Sequence, residues 1–385
     1  MLRMVDLPRK LDLLTLLPKK SFFLFGPRST GKSHVIRQQL KDRAVVIDLL
    51  RSDILLRLSS HPEDLEAMID AGPAARWIVL DEIQRVPSLL PEVHRLIEAR
   101  RLRFLLTGSS ARKLRRGSSD LLAGRAWVAH LFPLSWAEIP GFDLPRYLRF
   151  GGLPQVYLGE SPQEELRAYV SVYLQEEIRA EGIIRRLPPF TRFLRVAALS
   201  SGQLLNYAQV ASDAEVAPST VREYFSVLED TLVGWTLEPW RASRKRKAIQ
   251  TAKFYLFDPG VTHELAGTTT LDRNSDLYGR SFEQFIGMEL RAHTSYARTG
   301  EPLCFWRSTH GYEVDFLVGG RIAVEVKASR KVSLRDARGL LALKEEKAAK
   351  RFVLVSEDPI AARREGIEFL PWTEFLARLW SGSIT

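Results

Sequence analysis

A single short segment, residues 26–33, constrains the fold of this chain more than any other part of its sequence. It reads GPRSTGKS and fills every specified position of the pattern G-x-x-x-x-G-K-[ST]. The apolar run Ser21–Phe25 precedes it, as a buried parallel strand would, and residues 34–43 follow it without a helix breaker. A strand, a Gly-rich turn and a helix in this order place backbone N–H groups where they attract anions. The segment therefore predicts a parallel α/β sheet with a phosphate site at one edge; the alternative is a chance lysine in an ordinary turn.

This loop and the start of its helix predict a site for a nucleoside triphosphate. Lys32 is expected to reach the β- and γ-phosphates, and the Ser33 hydroxyl is expected to contact Mg²⁺. ATP and Mg²⁺ are accordingly the predicted cofactors. The predicted nucleotide-binding residues are Gly26, Pro27, Arg28, Ser29, Thr30, Gly31, Lys32, Ser33 and His34.

Two further strand ends carry polar side chains that suit hydrolysis. Asp81 and Glu82 follow the apolar run Trp77–Leu80, and we predict Asp81 as a Mg²⁺ contact and Glu82 as the general base. Gly108, Ser109 and Ser110 follow a third apolar run at 103–107, which makes Ser109 a candidate contact for the γ-phosphate or the attacking water. A polar strand end before a helix, and an ordinary Ser/Gly turn, are the alternatives.

Length, cysteine content and charge limit what the chain can be. Its 385 residues suffice for two or three domains, and its one cysteine, Cys304, excludes an internal disulfide and a cysteine-based metal site. We expect a cytoplasmic protein that does not insert into a membrane, because the sequence shows neither a secretory signal nor a long apolar run. The net charge of +10 favours a polyanionic partner. Basic residues cluster at Arg112–Arg116 and, without any acidic residue, at Arg241–Lys253.

The pattern of apolar runs predicts three domains. Strands at 21–25, 44–48, 77–80, 103–107 and 126–132 alternate with helical stretches over residues 1–140, which is typical of a parallel sheet covered by helices on both faces. Residues 141–265 are predicted to be helical and to contain a winged helix-turn-helix at about 188–258. The last domain, 266–385, carries a separate group of charged residues. The predicted fold class is α/β: a P-loop ATPase sheet, a winged helix-turn-helix and an α/β restriction-endonuclease-like domain.

The winged helix-turn-helix prediction depends on three amphipathic helices and a strand pair. The helices are expected at 190–200, 206–215 and 219–231, and the strands at 235–240 and 254–257, joined by the basic run. The exposed face of the third helix is poor in cations, so the basic wing is the better DNA contact, acting on the phosphate backbone without sequence preference. A protein–protein role is the alternative. The predicted DNA-binding residues are Arg222, Arg244, Lys245, Arg246 and Lys247.

The last domain contains an arrangement that resembles the PD-(D/E)XK nuclease core. Asp315 lies on one predicted strand, Glu325 and Lys327 on the next, and Glu283 on a helix upstream. Together they are a candidate second Mg²⁺ site in which Lys327 orients the attacking hydroxide. A two-residue turn at 319–320 would place Asp315 and Glu325 on opposite faces, whereas a three-residue turn or a bulge would bring them together. A charged solvent face of a hairpin is the alternative.

Taken together, these segments resemble a prokaryotic family of AAA+-type ATPases whose C-terminal region is described as domain of unknown function 4143. The resemblance covers nearly the full length, and the resulting expectations are ATP binding and hydrolysis, a winged helix and a nuclease-like terminal domain. It also makes Arg125, and secondarily Arg149, a candidate for stabilising charge on the γ-phosphate, in cis or from a neighbouring subunit, so that a homo-oligomer is expected; a structural salt bridge is the alternative for Arg125. The motifs that carry the resemblance are GPRSTGKS at 26–33, VLDEIQ at 79–84, LLTGSS at 105–110, LAGR at 122–125, FPLSWAE at 132–138, RFGGLP at 149–154, GRSFEQFIGMEL at 279–290, EVDF at 313–316 and VEVKAS at 324–329.

Three functions remain open from the sequence. The first is a Mg²⁺-dependent ATPase that translocates along DNA or remodels it. The second is a nucleotide-controlled switch that binds DNA or protein. The third is a metal-dependent DNA nuclease gated by ATP.

Overall fold

The computed structural model describes residues 7–73, 77–109, 122, 124–174, 187–243 and 245–384. They form two compact units: the first holds the described residues up to Leu134 together with Asp230–Val233, and the second holds the remainder. Within the described ranges, no helix is both long and apolar enough to cross a membrane.

The first unit is built on a five-stranded sheet in which every strand pair is parallel. Its strand order is β2-β3-β4-β1-β5. The strands are β1 (Ser21–Phe25), β2 (Ala44–Asp48), β3 (Trp77–Asp81), β4 (Phe104–Gly108) and β5 (Ala126–His130). The helices described in this unit are α1 (Leu13–Leu16), α2 (Lys32–Leu40), α3 (Ser52–Ser60), α4 (Asp64–Asp70) and α5 (Leu90–Arg100). The sequence prediction of a parallel α/β sheet is confirmed, with strand ends within two residues of those expected.

Burial explains why the central strands are almost wholly apolar. Every residue of β3 and β4 is buried, which is typical of parallel strands with both faces covered. Polar residues are therefore tolerated mainly where these strands end. Because β3, β4 and β1 are neighbours and parallel, their carboxyl ends meet at one edge of the sheet, next to the N-terminus of α2.

The second unit contains helices followed by a mixed eight-stranded sheet of order β12-β13-β11-β10-β9-β8-β6-β7. Its described helices are α6 (Leu144–Phe150), α7 (Pro154–Leu158), α8 (Pro162–Ala168), α9 (Leu187–Leu199), α10 (Tyr207–Ala214), α11 (Pro218–Asp230), α12 (Pro259–Ala266), α13 (Asp276–Ala297), α14 (Arg338–Lys344) and α15 (Trp372–Trp380). The strands are β6 (Gly234–Pro239), β7 (Lys253–Leu256), β8 (Leu303–Arg307), β9 (Glu313–Val318), β10 (Ile322–Lys327), β11 (Arg351–Ser356), β12 (Ala362–Arg364) and β13 (Ile367–Pro371).

Three helices and a strand pair occur where the winged helix was predicted. Helices α9, α10 and α11 pack through aromatic rings, with Phe193 4.9 Å from Phe225 between ring centroids. Phe225 in turn packs on Phe254 of β7 at 4.7 Å. Strands β6 and β7 are antiparallel, but β6 also pairs in parallel with β8. The hairpin is therefore part of the eight-stranded sheet, which distinguishes it from a free-standing wing.

The turn between β9 and β10 has three residues, 319–321. Val318 pairs with Ile322 and Phe316 with Val324, which places Asp315 opposite Glu325 in the same register. Gly319 and Gly320 both have positive φ, of 52° and 71°, as a tight turn of this kind requires. This is the odd-length turn on which the nuclease-like arrangement depends.

Two buried carboxylates bind the backbone of two of the motifs quoted above. Asp258 accepts hydrogen bonds from Gly152 N (2.8 Å) and from Val261 N (3.1 Å), so it joins the GGLP turn to the start of α12. Gly151 has a φ of 76°, and a Cβ at this position would collide with the Asp258 carboxylate. Burial raises the pKa of Asp258 to about 6, although the backbone N–H groups oppose this shift.

Glu289, near the middle of α13, is the second buried carboxylate that joins distant segments. Its two oxygens accept hydrogen bonds from Trp136 N at 2.7 Å and from Trp380 Nε1 at 2.6 Å. It thereby ties the FPLSWAE turn and the terminal helix α15 to one buried position. Burial raises the pKa of Glu289 to about 8, despite the two donors that favour its charged form.

Candidate functional site

The loop between β1 and α2 has the backbone shape of an anion cradle. Ser29 and Gly31 adopt positive φ, of 64° and 94°, so successive N–H groups turn inward ahead of α2. Gly26 is held close to the chain after β5: a Cβ there would lie 2.5 Å from Leu131 O. Thr30 closes the turn, with its hydroxyl donating to Pro27 O at 2.8 Å. Glycine is therefore needed at Gly26, where a Cβ does not fit, and is favoured at Gly31 by its positive φ.

Lys32 is folded back onto its own loop. Its ammonium donates to Gly26 O at 2.7 Å and to Pro27 O at 3.2 Å, and the residue is 6% exposed. Arg9 supports the same loop from the N-terminal segment, donating to Thr30 O at 2.7 Å and to Phe132 O at 2.6 Å. The lysine is thus held at the mouth of the cradle, where a phosphate can replace its two carbonyl acceptors.

Asp81 lies at the centre of a polar network at the strand ends. Ser33 Oγ donates to Asp81 Oδ2 at 2.9 Å, and Thr107 Oγ1 donates to Asp81 Oδ1. Asp81 is buried, whereas Ser33 is exposed. A hydroxyl and a carboxylate that converge in this way are the donor set that Mg²⁺ takes beside a bound triphosphate, so the residues present fit that ion.

Glu82 follows in a left-handed backbone conformation, with φ 64° and ψ 45°. Its backbone N–H donates to Thr107 Oγ1 at 3.1 Å, which fixes the turn. The side chain accepts a hydrogen bond from Gln84 Nε2, and the same amide reaches Ser109 Oγ at 3.3 Å. Glu82 and Ser109, predicted independently as base and phosphate contact, are therefore bridged by one amide group.

Gln84 and Thr107 are the members of this network for which the sequence interpretation assigned no role. Gln84 returns to the sheet edge because residues 83–85 form a 3₁₀ turn. Gly108 leaves room for it, since a Cβ there would lie 2.6 Å from Gln84 Oε1. Gln84 belongs to the motif VLDEIQ and Thr107 to LLTGSS, both quoted above. The one sequence signal for Gln84 was its polar side chain two positions after the predicted base.

Arg125 forms an exposed ion pair with Glu98 on α5, with Nε 2.6 Å from Oε1. Arg149, in the second unit, donates to Thr269 O. Ser110 and the basic cluster Arg112–Arg116 lie outside the described residues. The ion pair agrees with the structural alternative for Arg125, and its predicted role on the γ-phosphate stays a prediction.

The second unit brings the predicted acidic residues together on one face of its sheet. Asp315 and Glu325 are 6% and 5% exposed, and Asp315 Oδ2 accepts from Val326 N at 2.8 Å. Lys327 Nζ is 2.6 Å from Glu325 Oε1. Glu283 on α13 approaches the same place. The structure therefore brings Glu283, Asp315, Glu325 and Lys327 close together, and their predicted role at a metal ion stays a prediction.

A lysine that no motif indicated lies in the middle of this set. Lys253 Nζ is 2.7 Å from Glu313, 3.1 Å from Glu283 and 3.9 Å from Asp315. Among the residues that the structure describes, no group of three or more His, Cys, Asp or Glu side chains is arranged to hold a metal ion. The acidic residues converge on an ammonium group.

Burial dominates the protonation of these groups. It raises the pKa of Asp315 to about 7, with Glu283 acting in the same direction and Lys253 opposing. It also raises the pKa of Glu325, followed by repulsion from Asp315. Burial lowers the pKa of Lys253, but the attraction of Glu283 and its neighbours outweighs this and leaves that pKa well above its ordinary value.

Two family models match the parts of the chain that contain these two sites. A model described as an AAA domain matches residues 18–140, and one described as domain of unknown function DUF4143 matches residues 278–375. The chain is an AAA-domain protein with a C-terminal DUF4143 domain. The region between them, 141–272, matches domain of unknown function DUF8612. The phosphate loop and strand ends thus belong to the AAA domain, and Asp315 and Glu325 to the DUF4143 domain.

Three similar proteins are each described as uncharacterized. This protein is 29% identical over 333 residues to an uncharacterized protein of Mycobacterium tuberculosis, covering 83% of this chain and 73% of that one. An uncharacterized protein of Mycobacterium bovis gives the same values. An uncharacterized protein of Haemophilus influenzae is 22% identical over 296 residues, covering 69% and 72%.

Solved structures resemble the chain only distantly. The Aeropyrum pernix ORC1 protein in complex with DNA has a TM-score of 0.26 and 13% identity, with 65% of this chain and 87% of that chain covered. AMPPCP-bound DnaA from Aquifex aeolicus has a TM-score of 0.30 and 13% identity, with 55% and 81% covered. TM-scores this low do not define a shared fold.

The predicted DNA-binding cations differ in exposure and in their contacts. Arg222 is exposed, and its guanidinium carbon lies 5.3 Å from the Tyr207 ring centroid. Lys245 and Lys247 are exposed. Arg246 is paired with Glu345 at 2.9 Å and donates to Ala342 O at 2.9 Å. Arg244 lies outside the described residues. The basic run is thus partly bound to the DUF4143 domain, and Arg246 is less available to phosphate than the sequence suggested.

Proposed function

We propose that this protein binds and hydrolyses ATP with Mg²⁺ in its AAA domain and uses that cycle to act on DNA. The observation that carries the proposal is the contact between Ser33 and Asp81, beside Glu82 and the folded-back Lys32. These are the groups that a phosphate loop and its partner strand contribute to phosphoryl transfer. Ser33 and Asp81 would hold Mg²⁺, which would neutralise part of the charge of the triphosphate.

Residues of the chain would bind the phosphates, accept a proton and position the general base. Lys32 exchanges its carbonyl acceptors for phosphate oxygens, which lets a buried cation meet a charged partner. Glu82 accepts a proton from the attacking water, and its fixed left-handed turn aims the carboxylate. Gln84 holds that carboxylate next to Ser109. Glu82 can accept the proton only when the hydrogen bond from Gln84 allows its carboxylate to face the water.

The DNA part of the proposal is supported by charge and by element order. The net charge is +10, and three helices precede an antiparallel strand pair joined by a basic loop. Lys245 and Lys247 are exposed on that loop. Contacts of this kind bind the phosphate backbone without reading sequence, and they weaken steeply with salt.

The test is the rate of ATP hydrolysis with and without linear, single-stranded and four-way-junction DNA. We expect stimulation by DNA at low salt, and less of it in a Lys245→Gln/Lys247→Gln double variant. Glu82→Gln should keep ATP affinity and lose about 10²- to 10⁴-fold in turnover. Glu63→Gln, an exposed carboxylate in the same domain, is the matched control. Failure to bind DNA at low salt in the presence of ATP would refute the DNA part alone.

A nucleotide-controlled switch is the second candidate, favoured by the bridge from Gln84 to Glu82 and Ser109. An amide that restrains the base would keep turnover slow and couple it to a conformational change. On this hypothesis Gln84→Ala hydrolyses ATP faster, and Glu82→Gln stays in the ATP-bound, DNA-binding form. A translocating enzyme would instead lose its activity on DNA with Glu82→Gln.

A further inference from the structure

Lys253 is buried, whereas Lys245 and Lys247 in the same basic run are exposed. It is the first residue of β7, its side chain is 4% exposed, and its backbone is bridged to Leu237 on one side and Leu204 on the other. The chain around it is therefore fixed by strand pairing. The ammonium group is buried against the carboxylates of Glu283, Glu313 and Asp315, so these contacts belong to the folded domain.

The carboxylates around Lys253 are already committed. Glu283 Oε1 accepts from Lys253 at 3.1 Å and from the Tyr255 hydroxyl at 2.6 Å. Glu313 is shared by Lys253 at 2.7 Å and Arg307 at 3.4 Å. A divalent cation in a nuclease-like site needs several carboxylate oxygens free to converge on one point. In this part of the described structure, the carboxylates of Glu283, Glu313 and Asp315 surround the Lys253 ammonium group instead.

The lysine comes from a different sequence region than its partners. Lys253 lies in the stretch matched by DUF8612, whereas Glu283, Glu313 and Asp315 lie in the stretch matched by DUF4143. Both stretches contribute strands to one sheet, through the pairing of β6 with β8. The arrangement thus joins the basic hairpin to the terminal domain through a buried ion cluster.

We infer that Lys253 is a built-in cation that takes the place of a divalent metal in the DUF4143 domain, so that this domain is closed to metal and does not cleave DNA. Glu283, Glu313 and Asp315 then serve to anchor the hairpin that carries Lys245 and Lys247. The acidic side chains of the predicted nuclease core lie together, but they already pair with lysines of the chain: Glu283 and Asp315 with Lys253, and Glu325 with Lys327. The residues do not fit a bound Mg²⁺ while Lys253 is in place.

The test compares Mn²⁺ binding by the nucleotide-free full-length protein and four variants, using isothermal titration calorimetry. Wild type and Asp315→Asn should bind the same number of Mn²⁺ ions, because any ion at the AAA domain is common to both. Lys253→Gln should bind one more ion, and Lys253→Gln/Asp315→Asn should lose it again. Lys245→Gln, a matched change on the same hairpin, should behave as wild type.

Thermal unfolding and DNA nicking keep the inference falsifiable if Lys253→Gln folds poorly. Removing the ammonium leaves buried carboxylates unpaired and should lower Tm by about 10 °C, and adding Glu313→Gln should recover part of that loss. Supercoiled plasmid with Mn²⁺ should show no nicking that depends on Asp315. The inference fails if wild type binds a Mn²⁺ ion or nicks DNA in a manner abolished by Asp315→Asn. It also fails if folded Lys253→Gln, or the double variant with Glu313→Gln, gains no ion.

Discussion

Replacing Glu289 with glutamine should change how the stability of this protein depends on pH. Glu289 is 2% exposed, and burial raises its pKa from 4.5 to about 8. Because the folded-state pKa is above the unfolded one, the folded protein holds this proton more tightly. The free energy of unfolding therefore falls as the pH rises from about 4.5 to about 8, and Glu289 contributes no further change above or below that window.

The size of the effect follows from that interval. Each pH unit between the two pKa values is worth about 1.4 kcal/mol for one proton. The full interval thus corresponds to about 5 kcal/mol, or roughly 10–20 °C in Tm for a domain of this size. Glutamine is neutral at every pH, but its NH₂ group meets one of the two tryptophan donors. That mismatch costs about 1–3 kcal/mol and does not vary with pH.

The assay is urea unfolding at pH 5, 6, 7 and 8 at constant ionic strength, followed by tryptophan fluorescence. Trp380, which donates to Glu289, is one of eight tryptophans whose combined emission follows unfolding. Glu289→Gln should be less stable than wild type at pH 5 and should gain on it steadily up to pH 8. Glu374→Gln, on the same terminal helix but paired at the surface with Arg378, is the control and should track wild type. Parallel pH profiles for wild type and Glu289→Gln would refute the reasoning.

Two further changes test local geometry. Thr107→Val keeps the shape of the side chain but removes its hydroxyl from Asp81 and from Glu82 N, so we expect about tenfold slower ATP turnover with little change in ATP affinity; unchanged turnover would contradict the role of this hydroxyl. Gly151→Ala places a methyl group against Asp258 and should lower stability by about 2–4 kcal/mol, whereas Gly141→Ala, also at positive φ but with open space around it, should cost about 1 kcal/mol; equal thermal shifts for the two would contradict the clash.

The residues of the candidate nucleotide site could be identified largely from sequence because its parts are local. A phosphate loop is defined by consecutive residues, and the ends of buried strands are marked by the change from apolar to polar side chains. The strand order β3-β4-β1 then brings Asp81, Thr107 and the loop together. Gln84 was missed because its return to the sheet depends on a 3₁₀ turn and on the space left by Gly108, neither of which has a clear sequence signature.

The acidic site shows where sequence reasoning reaches its limit. The dependence on turn length could be stated in advance, since strand alternation has a period of two, and the three-residue turn at 319–321 confirmed that condition. The identity of the central cation could not be stated. Lys253 stands at the end of a basic run, and its buried position depends on the pairing of β7 with β6 and of β6 with β8. Long-range strand pairing of this kind leaves no local trace in the chain.

The basic run therefore contains two chemically different sets of cations, although its sequence reads as uniform. Arg246 and Lys253 neutralise carboxylates of the DUF4143 domain, while Lys245 and Lys247 face solvent. A charge that is paired inside the protein contributes little to binding a polyanion, because it releases no counterion from the nucleic acid. The salt dependence of DNA binding should accordingly reflect fewer cations than the run contains. If Lys253 anchors the hairpin, Lys253→Gln should also weaken DNA binding through loss of hairpin order, whereas Lys247→Gln should weaken it only through loss of one phosphate contact.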